Sequence, residues 1–313
     1  MSNSTAFGKY TLLERLASGS LADIFRATTR TAAGEDLPVV IKKIHDQLAT
    51  NADFLAGFVD EARVASMLEH PNIVKVFEWG RNGEALFIAM EYIEGTNLAT
   101  LMQAVAEQGT RFPPTVGIYI VSQALAGLAY AHGVKDAYGN PLGLVHRNVS
   151  PPNIVISSSG QVKLVDFGLA RVSSKLIDTR PDVFRDEYGY LAPEVLRHQA
   201  VDGRADLYSL GVVLYEVLSG RKITAQAAET QIEAIARSIA QTPPSSVHAD
   251  IPVELDQLLA RAMAENPAAR PASAAAMRTE LDAFLDRWDR KVDTDSLSSF
   301  LVEALSGRIG QKK

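Results

Sequence analysis

A chain of 313 residues suffices for one large domain or two lobes with their own cores, and 47% apolar with 22% charged residues is ordinary for a globular protein. The net charge of −6 gives no support to a nucleic-acid surface, and the absence of cysteine excludes disulfides, thiolate metal sites and a cysteine nucleophile. The opening MSNSTAFGKY is no signal peptide, and no uncharged apolar run is expected to reach the roughly 18 residues of a membrane helix, so a cytoplasmic protein without a membrane partner is expected.

In chain order, the first third reads as strands. Tyr10–Leu16 leads into ASGSLADIF, a turn follows near Gly34, and LPVVIKKI is a β-branched run suited to a sheet. Phe54, Phe58, Ala62, Ala65 and Leu68 recur at three- and four-residue spacing, which predicts a helix that His70-Pro71-Asn72 ends. IVKVFEWG and EALFIAMEYI predict two further strands around an Arg81-Asn82-Gly83 turn. From Leu98 the character is helical: VGIYIVSQALAGLAYAH and DLYSLGVVLYEVLSG are long and apolar, as core helices are. Between them NIVISSSGQVKLVDF reads as a hairpin with Ser-Ser-Gly at its turn. The expected organisation is a small β-rich lobe over 1–93, a large α-rich lobe over 94–290 and a helical tail over 291–313, with a ligand cleft between the lobes. In the tail, Thr294 or Asp295 caps a predicted helix that bears Leu297, Phe300, Leu301, Ala304 and Leu305 on one face. That face either docks on the large lobe or binds a partner.

Chemistry-bearing residues follow one another in a fixed order. Gly19, in ASGSLADI between two strands, would let backbone amides approach phosphate oxygens without an intervening side chain. Lys42 ends Val39-Val40-Ile41 on a face shared with apolar Val40 and Ile44, so it needs a partner, and Glu61 on the next helix could supply one. LVHRNVSPPNIVIS then brings His146-Arg147-Asn148 with Asn153 five positions on, and Asp166-Phe167-Gly168 follows the hairpin. Ala192-Pro193-Glu194, Asp206 at the head of an apolar helix, and Arg270 complete the series.

Taken singly these are a turn glycine, a solvated lysine and ordinary loop residues. In this order they resemble the protein-kinase signature set, and over residues 10–285 the wording is similar to the eukaryotic-type Ser/Thr kinases of bacteria, especially myxobacterial ones. The resemblance implies an α+β, bilobal kinase-like fold that binds ATP with magnesium between its lobes. It implies that Lys42, steadied by Glu61, holds phosphates, and that Asn153 and Asp166 hold the metal. Leu16, Ile24 and Val40 would roof the base over Gly19's loop, Met90 would stand behind it, and the backbone from Glu91 to Ile93 would read its edge. Glu194 and Arg270 would pair, and Asp206 would brace the catalytic loop.

The departures gather on the acceptor side. Asn148 stands where the family has the aspartate that takes the substrate proton, and an amide is essentially non-basic. Ser150 replaces a lysine common in Ser/Thr kinases, Glu187 a frequent threonine, and Ala17 and Ala22 the outer glycines of the loop. Three readings stay open: an ATP-binding pseudokinase that regulates a protein partner such as another kinase, a working Ser/Thr kinase, and a scaffold that has lost nucleotide binding. Ser173, Ser174 and Thr179 offer phosphorylation sites in the segment from Asp166 to Glu194.

Overall fold

A computed structural model describes residues 4–19, 21–50, 52–167, 188–223, 241–287 and 291–307, with Ile235, Arg237 and Ile309. These fall into two compact units, one holding 4–93 and Phe167, the other holding 94–166 and the described residues from 188 onward.

The first unit is a six-stranded antiparallel sheet in the order β1-β2-β3-β4-β6-β5. Its strands are β1 (Thr5–Phe7), β2 (Tyr10–Ser18), β3 (Ala22–Arg30), β4 (Asp36–Ile44), β5 (Val76–Asn82) and β6 (Ala85–Glu91). The three-residue β1 was not expected from sequence. Side chains alternate across a strand, so Val39 and Ile41 enter a core with Phe7, Tyr10, Leu12, Ala27, Phe87 and Ala89. Phe87 meets Phe7 and Tyr10 edge-on, with ring centroids 5.4 and 5.8 Å apart. The opposite face takes Val40 and Lys42, which pair across the sheet with Arg26 and Ile24 of β3 and with Met90 and Ile88 of β6. After a short turn of helix, α1 (Asp46–Ala49), comes α2 (Ala52–Ala65), in which Phe54, Phe58 and Ala62 are buried at the predicted spacing.

The second unit begins with β7 (Gly95–Asn97), which joins β8 (Ile154–Ser157) and β9 (Val162–Leu164) in a small antiparallel sheet. Helices α3 (Leu98–Glu107) and α4 (Pro114–His132) follow β7. After β9 come α5 (Pro193–Leu196), α6 (Arg204–Ser219), α7 (Pro244–Val247), α8 (Val253–Ala262), α9 (Ala274–Leu285) and α10 (Thr294–Leu305). Helix α4 corrects the sequence expectation about membrane-length runs. It has 19 residues without Asp, Glu, Lys or Arg, and by length and composition it could span a membrane. Two thirds of it (67%) is buried within the protein, however, against α6 and α9. Helix α6 is buried on every side from Ala205 to Ser219, which makes it the centre of this unit.

Helix α10 docks on α3 with Leu297, Phe300, Leu301 and Ala304 buried. Phe300 meets the Phe112 ring at 5.3 Å, and the Gln108 amide donates to the Ala304 carbonyl at 2.7 Å. Ser298 donates to the Ser158 carbonyl in the β8–β9 turn. There Gly160, at φ 79°, lies so close to the Thr294 backbone that a Cβ would stand 1.9 Å from its carbonyl oxygen. Two expectations are corrected. Leu305 is 49% exposed, because α10 outruns the surface that covers it. The cap is Asp293, whose carboxylate accepts the Ser296 N–H while the Ser296 hydroxyl accepts the Asp293 N–H.

Candidate active site

In the first unit the glycine turn is short. Ala17 and Ser18 pair with Ile24 and Asp23, and Ala22 pairs with Ile44, so both alanines that replace the outer glycines stand in strands. The Gly19 N–H closes the turn on the Ala22 carbonyl at 2.9 Å. Gly19 does not have positive φ, and a Cβ there would meet only the Ala22 oxygen at 3.6 Å, ordinary contact. The fold itself therefore does not require glycine at this position. Leu16 sits at a bulge in β2 and is 46% exposed, while Ile24 and Val40 are half-buried and Met90 is buried. Lys42 is only 6% exposed, on the face of β4 that carries Val40. The side chain of Glu61, its expected partner, lies outside the described residues.

At the end of β6, the Glu91 N–H donates to the Lys75 carbonyl at 2.8 Å and its carboxylate accepts the Lys75 N–H. Ile93 makes no main-chain hydrogen bond among the described residues. A donor and an acceptor are thus left at the edge where the resemblance places the base.

In the second unit, Asp206 organises the loop around Asn148. Fully buried, it accepts the main-chain N–H of His146 at 2.8 Å and of Arg147 at 2.7 Å, and the His132 ring N–H at 2.8 Å. Burial alone would raise its carboxyl, but the His132 hydrogen bond and charge and the His146 backbone amide outweigh that and hold it below the usual carboxylate range. Burial pushes the His146 imidazole down, against the pull of Asp206 and the Val165 carbonyl, so the ring is neutral near pH 7. Its Nε2–H donates to the Val165 carbonyl at 2.9 Å and its Nδ1 accepts the Asn148 N–H at 3.3 Å. One ring thus joins the loop to the strand end that precedes Asp166.

Asn153 completes the frame. Its amide donates to the Asn148 carbonyl at 2.8 Å, and its own carbonyl accepts the Val165 N–H at 3.0 Å. Arg147 (φ 65°) and Asp166 (φ 62°) are held in left-handed backbone, which costs of order 1–3 kcal/mol each and persists where surroundings enforce it. The Asn148 side chain makes no hydrogen bond among the described residues. The Asn153 amide nitrogen is engaged with Asn148, which leaves its side-chain oxygen to offer, and the main-chain bond from Val165 ties Asn153 to the residue before Asp166. Two oxygen donors suit magnesium, which binds few protein ligands and keeps waters or phosphates for the rest of its shell.

Further along, Arg270 grips both carboxylate oxygens of Glu194 at 2.6 and 2.7 Å, and the Tyr190 hydroxyl donates to Glu216 at 2.7 Å. Ser150 is buried. Gly168, Ser173, Ser174, Thr179 and Glu187 lie outside the described residues. Sequence reasoning missed His132, whose only signal was a histidine closing an apolar helix.

The family model described as the protein kinase domain matches residues 10–281, most of the chain. The chain belongs to the protein kinase family. Its kinase fold is α+β, a β-sheet unit and a helical unit. Tyrosine-protein kinase MasK of Myxococcus xanthus is 36% identical over 310 residues, 98% of this chain and 47% of that protein. Serine/threonine-protein kinase PknL of Mycobacterium tuberculosis is 36% identical over 279 residues, 89% of this chain and 66% of that protein. The chain therefore spans between about half and two thirds of the length of these relatives. Among solved structures, the PknI kinase domain of M. tuberculosis aligns with a TM-score of 0.69 at 26% identity, covering 91% of this chain and 98% of that one. These likenesses put the chain with the eukaryotic-type kinases of bacteria.

Proposed function

We propose that this kinase-family chain binds ATP with magnesium, and that Asn148 slows phosphoryl transfer so far that it acts as a pseudokinase regulating a protein partner, such as another kinase. The observation that carries this reading is the state of the catalytic loop. Asp206, His146 and Asn153 brace its backbone, yet the side chain it presents at 148 is an amide that cannot take a proton.

In this reading Lys42 would neutralise phosphate charge, Asn153 and Asp166 would hold magnesium, and Ile93 would offer its main-chain groups to the adenine edge. Ile24, Val40 and Met90 give the base an apolar surround. Magnesium would supply charge neutralisation on the phosphates. None of these residues depends on Asn148. General-base catalysis supplies ~10²–10⁴-fold, and family members turn over at roughly 1–100 s⁻¹. Loss of the base therefore leaves roughly 10⁻⁴–1 s⁻¹, a severe impairment that need not abolish transfer.

A second reading, an active protein kinase, is favoured by the names of the relatives, which include both Ser/Thr and Tyr kinases. Transfer of radiolabelled γ-phosphate to the chain itself or to a basic protein decides between them. We expect Asn148→Asp to exceed the parent by about 100-fold or more. A parent as fast as that variant overturns the pseudokinase reading.

A further inference from the structure

Helix α10 follows the matched kinase domain, yet it is fastened to the hairpin that carries the candidate metal ligands. That hairpin leaves Asn153 as β8, turns at Ser158, Ser159 and Gly160, and returns as β9 towards Asp166. At its open end the Val165 N–H donates to the Asn153 carbonyl at 3.0 Å. Its turn is held from two sides. From one, the Glu94 carbonyl accepts the Ser158 N–H at 2.7 Å. From the other, the Ser298 hydroxyl of α10 donates to the Ser158 carbonyl at 2.6 Å, and the Thr294 backbone lies against Gly160 with no room for a Cβ.

The same helix also supports the other end of the hairpin. The single turn Pro151–Asn153, which delivers Asn153, rests on α3, and α3 is the helix on which α10 docks through Leu297, Phe300, Leu301 and Ala304. Ser157 lies four residues past Asn153, about 13 Å along the strand. Ile154, Ile156, Val162 and Leu164 are fully buried between these ends. Close-packed interiors transmit a displacement rather than absorb it, so a shift at the turn reaches the ligand end.

We propose that α10 is a positioning element for the metal pair: through Ser298 and Thr294 it holds the β8–β9 turn, and so keeps Asn153 and Asp166 in place for one magnesium ion. The proposal rests on the ATP-binding reading above. A helix that only completed the core would stabilise the unit whatever its ligand, whereas this role acts on the metal-bound nucleotide alone.

The test is calorimetric titration of the full chain with magnesium ATP and, separately, with adenosine. Gly160→Ala drives a methyl group into the Thr294 carbonyl and should weaken magnesium ATP about tenfold, within the range usual for coupling between sites, and adenosine less than twofold. Ser298→Ala, which strains nothing, should weaken magnesium ATP about threefold, and Ser298→Thr, which keeps the hydroxyl, should match the parent. Unchanged magnesium ATP affinity in both alanine variants, or equal losses for ATP and adenosine, overturns the proposal. Should Gly160→Ala not fold, the Ser298 pair decides: equal ATP affinities for alanine and threonine overturn it. A parent that binds neither ligand overturns the ATP-binding reading along with it, whereas a parent that binds both, with the ratio constant across the variants, overturns the role of α10 alone.

Discussion

Tyr208 and Arg270 touch, yet substitution should affect them in opposite ways. The Arg270 guanidinium, fully buried, donates to Glu194 and to the carbonyls of Ala264, Arg204 and Glu265, and lies 5.0 Å over the Tyr208 ring. Arg270→Ala strands a buried carboxylate and should cost about 3–5 kcal/mol, seen as a large fall in Tm. The Tyr208 hydroxyl is buried with no hydrogen-bond partner among the described residues, so Tyr208→Phe should be neutral or stabilising by up to ~1 kcal/mol in denaturant titration. His146 gives a pH dependence whose sign is fixed. Its folded pKa lies below the usual 6.5, so below about pH 6.5 the unfolded chain takes a proton that the folded chain refuses. Stability from this group is complete above that pH and falls as the pH drops. The depressed Asp206 carboxyl adds a loss of the same sign at still lower pH, as it protonates in the folded chain. His146→Gln should flatten the Tm profile between pH 7 and 5, where one such group contributes at most ~1.4 kcal/mol per pH unit. An unchanged slope would show that His146 is not the titrating group. His146 and Glu194 were legible in sequence because HRN and APE are local words, and the resemblance then pointed to Asp206 and Arg270. His132 was not, since only folding brings it to Asp206, 74 positions away.

Helix α10 takes the first of its two expected roles, docking on the helical unit. Phe300 and Leu301 are buried against α3 rather than presented to a partner. Deleting residues 292–313 should therefore lower Tm by several degrees, since each large apolar side chain buried is worth roughly 1.5–3 kcal/mol. Phe300→Ala alone should cost about 3–5 kcal/mol in chemical denaturation. A truncated chain that melts with the parent would show that the helix adds nothing to the core. Periodicity found the stripe of α10 but not its end, because Leu305 follows the same spacing and only the limit of the α3 surface leaves it exposed. It could not choose the cap either: Asp293, Thr294 and Asp295 all offer an oxygen, and the return bond from Ser296 makes the choice. In α4 the absence of charge fits a membrane span as well as a core helix, and the neighbours that distinguish the two are supplied by α6 and α9. β1 escaped notice because three residues are too few for a pattern.

For the whole molecule, nucleotide binding should register as stability. A ligand that binds only the folded state adds about 2.7 kcal/mol at a hundredfold excess over Kd, several degrees in Tm for a chain of this size. Lys42→Ala should remove most of that shift, and Asp166→Ala should remove its dependence on magnesium. Asn148→Ala should leave it nearly intact. A flat melting profile in millimolar ATP with magnesium would favour the scaffold reading. The Gln108 side chain bears on how such a molecule comes into being. It donates to Ala304, 196 positions along the chain, and accepts from Ile309, 201 positions along. Synthesis at ~5–20 residues per second puts roughly 10–40 s between the emergence of α3 and that of the helix that covers it. For that interval the nascent chain carries the Phe112 side of α3 bare to water, so the helical unit closes only after nearly all of this sequence has left the ribosome.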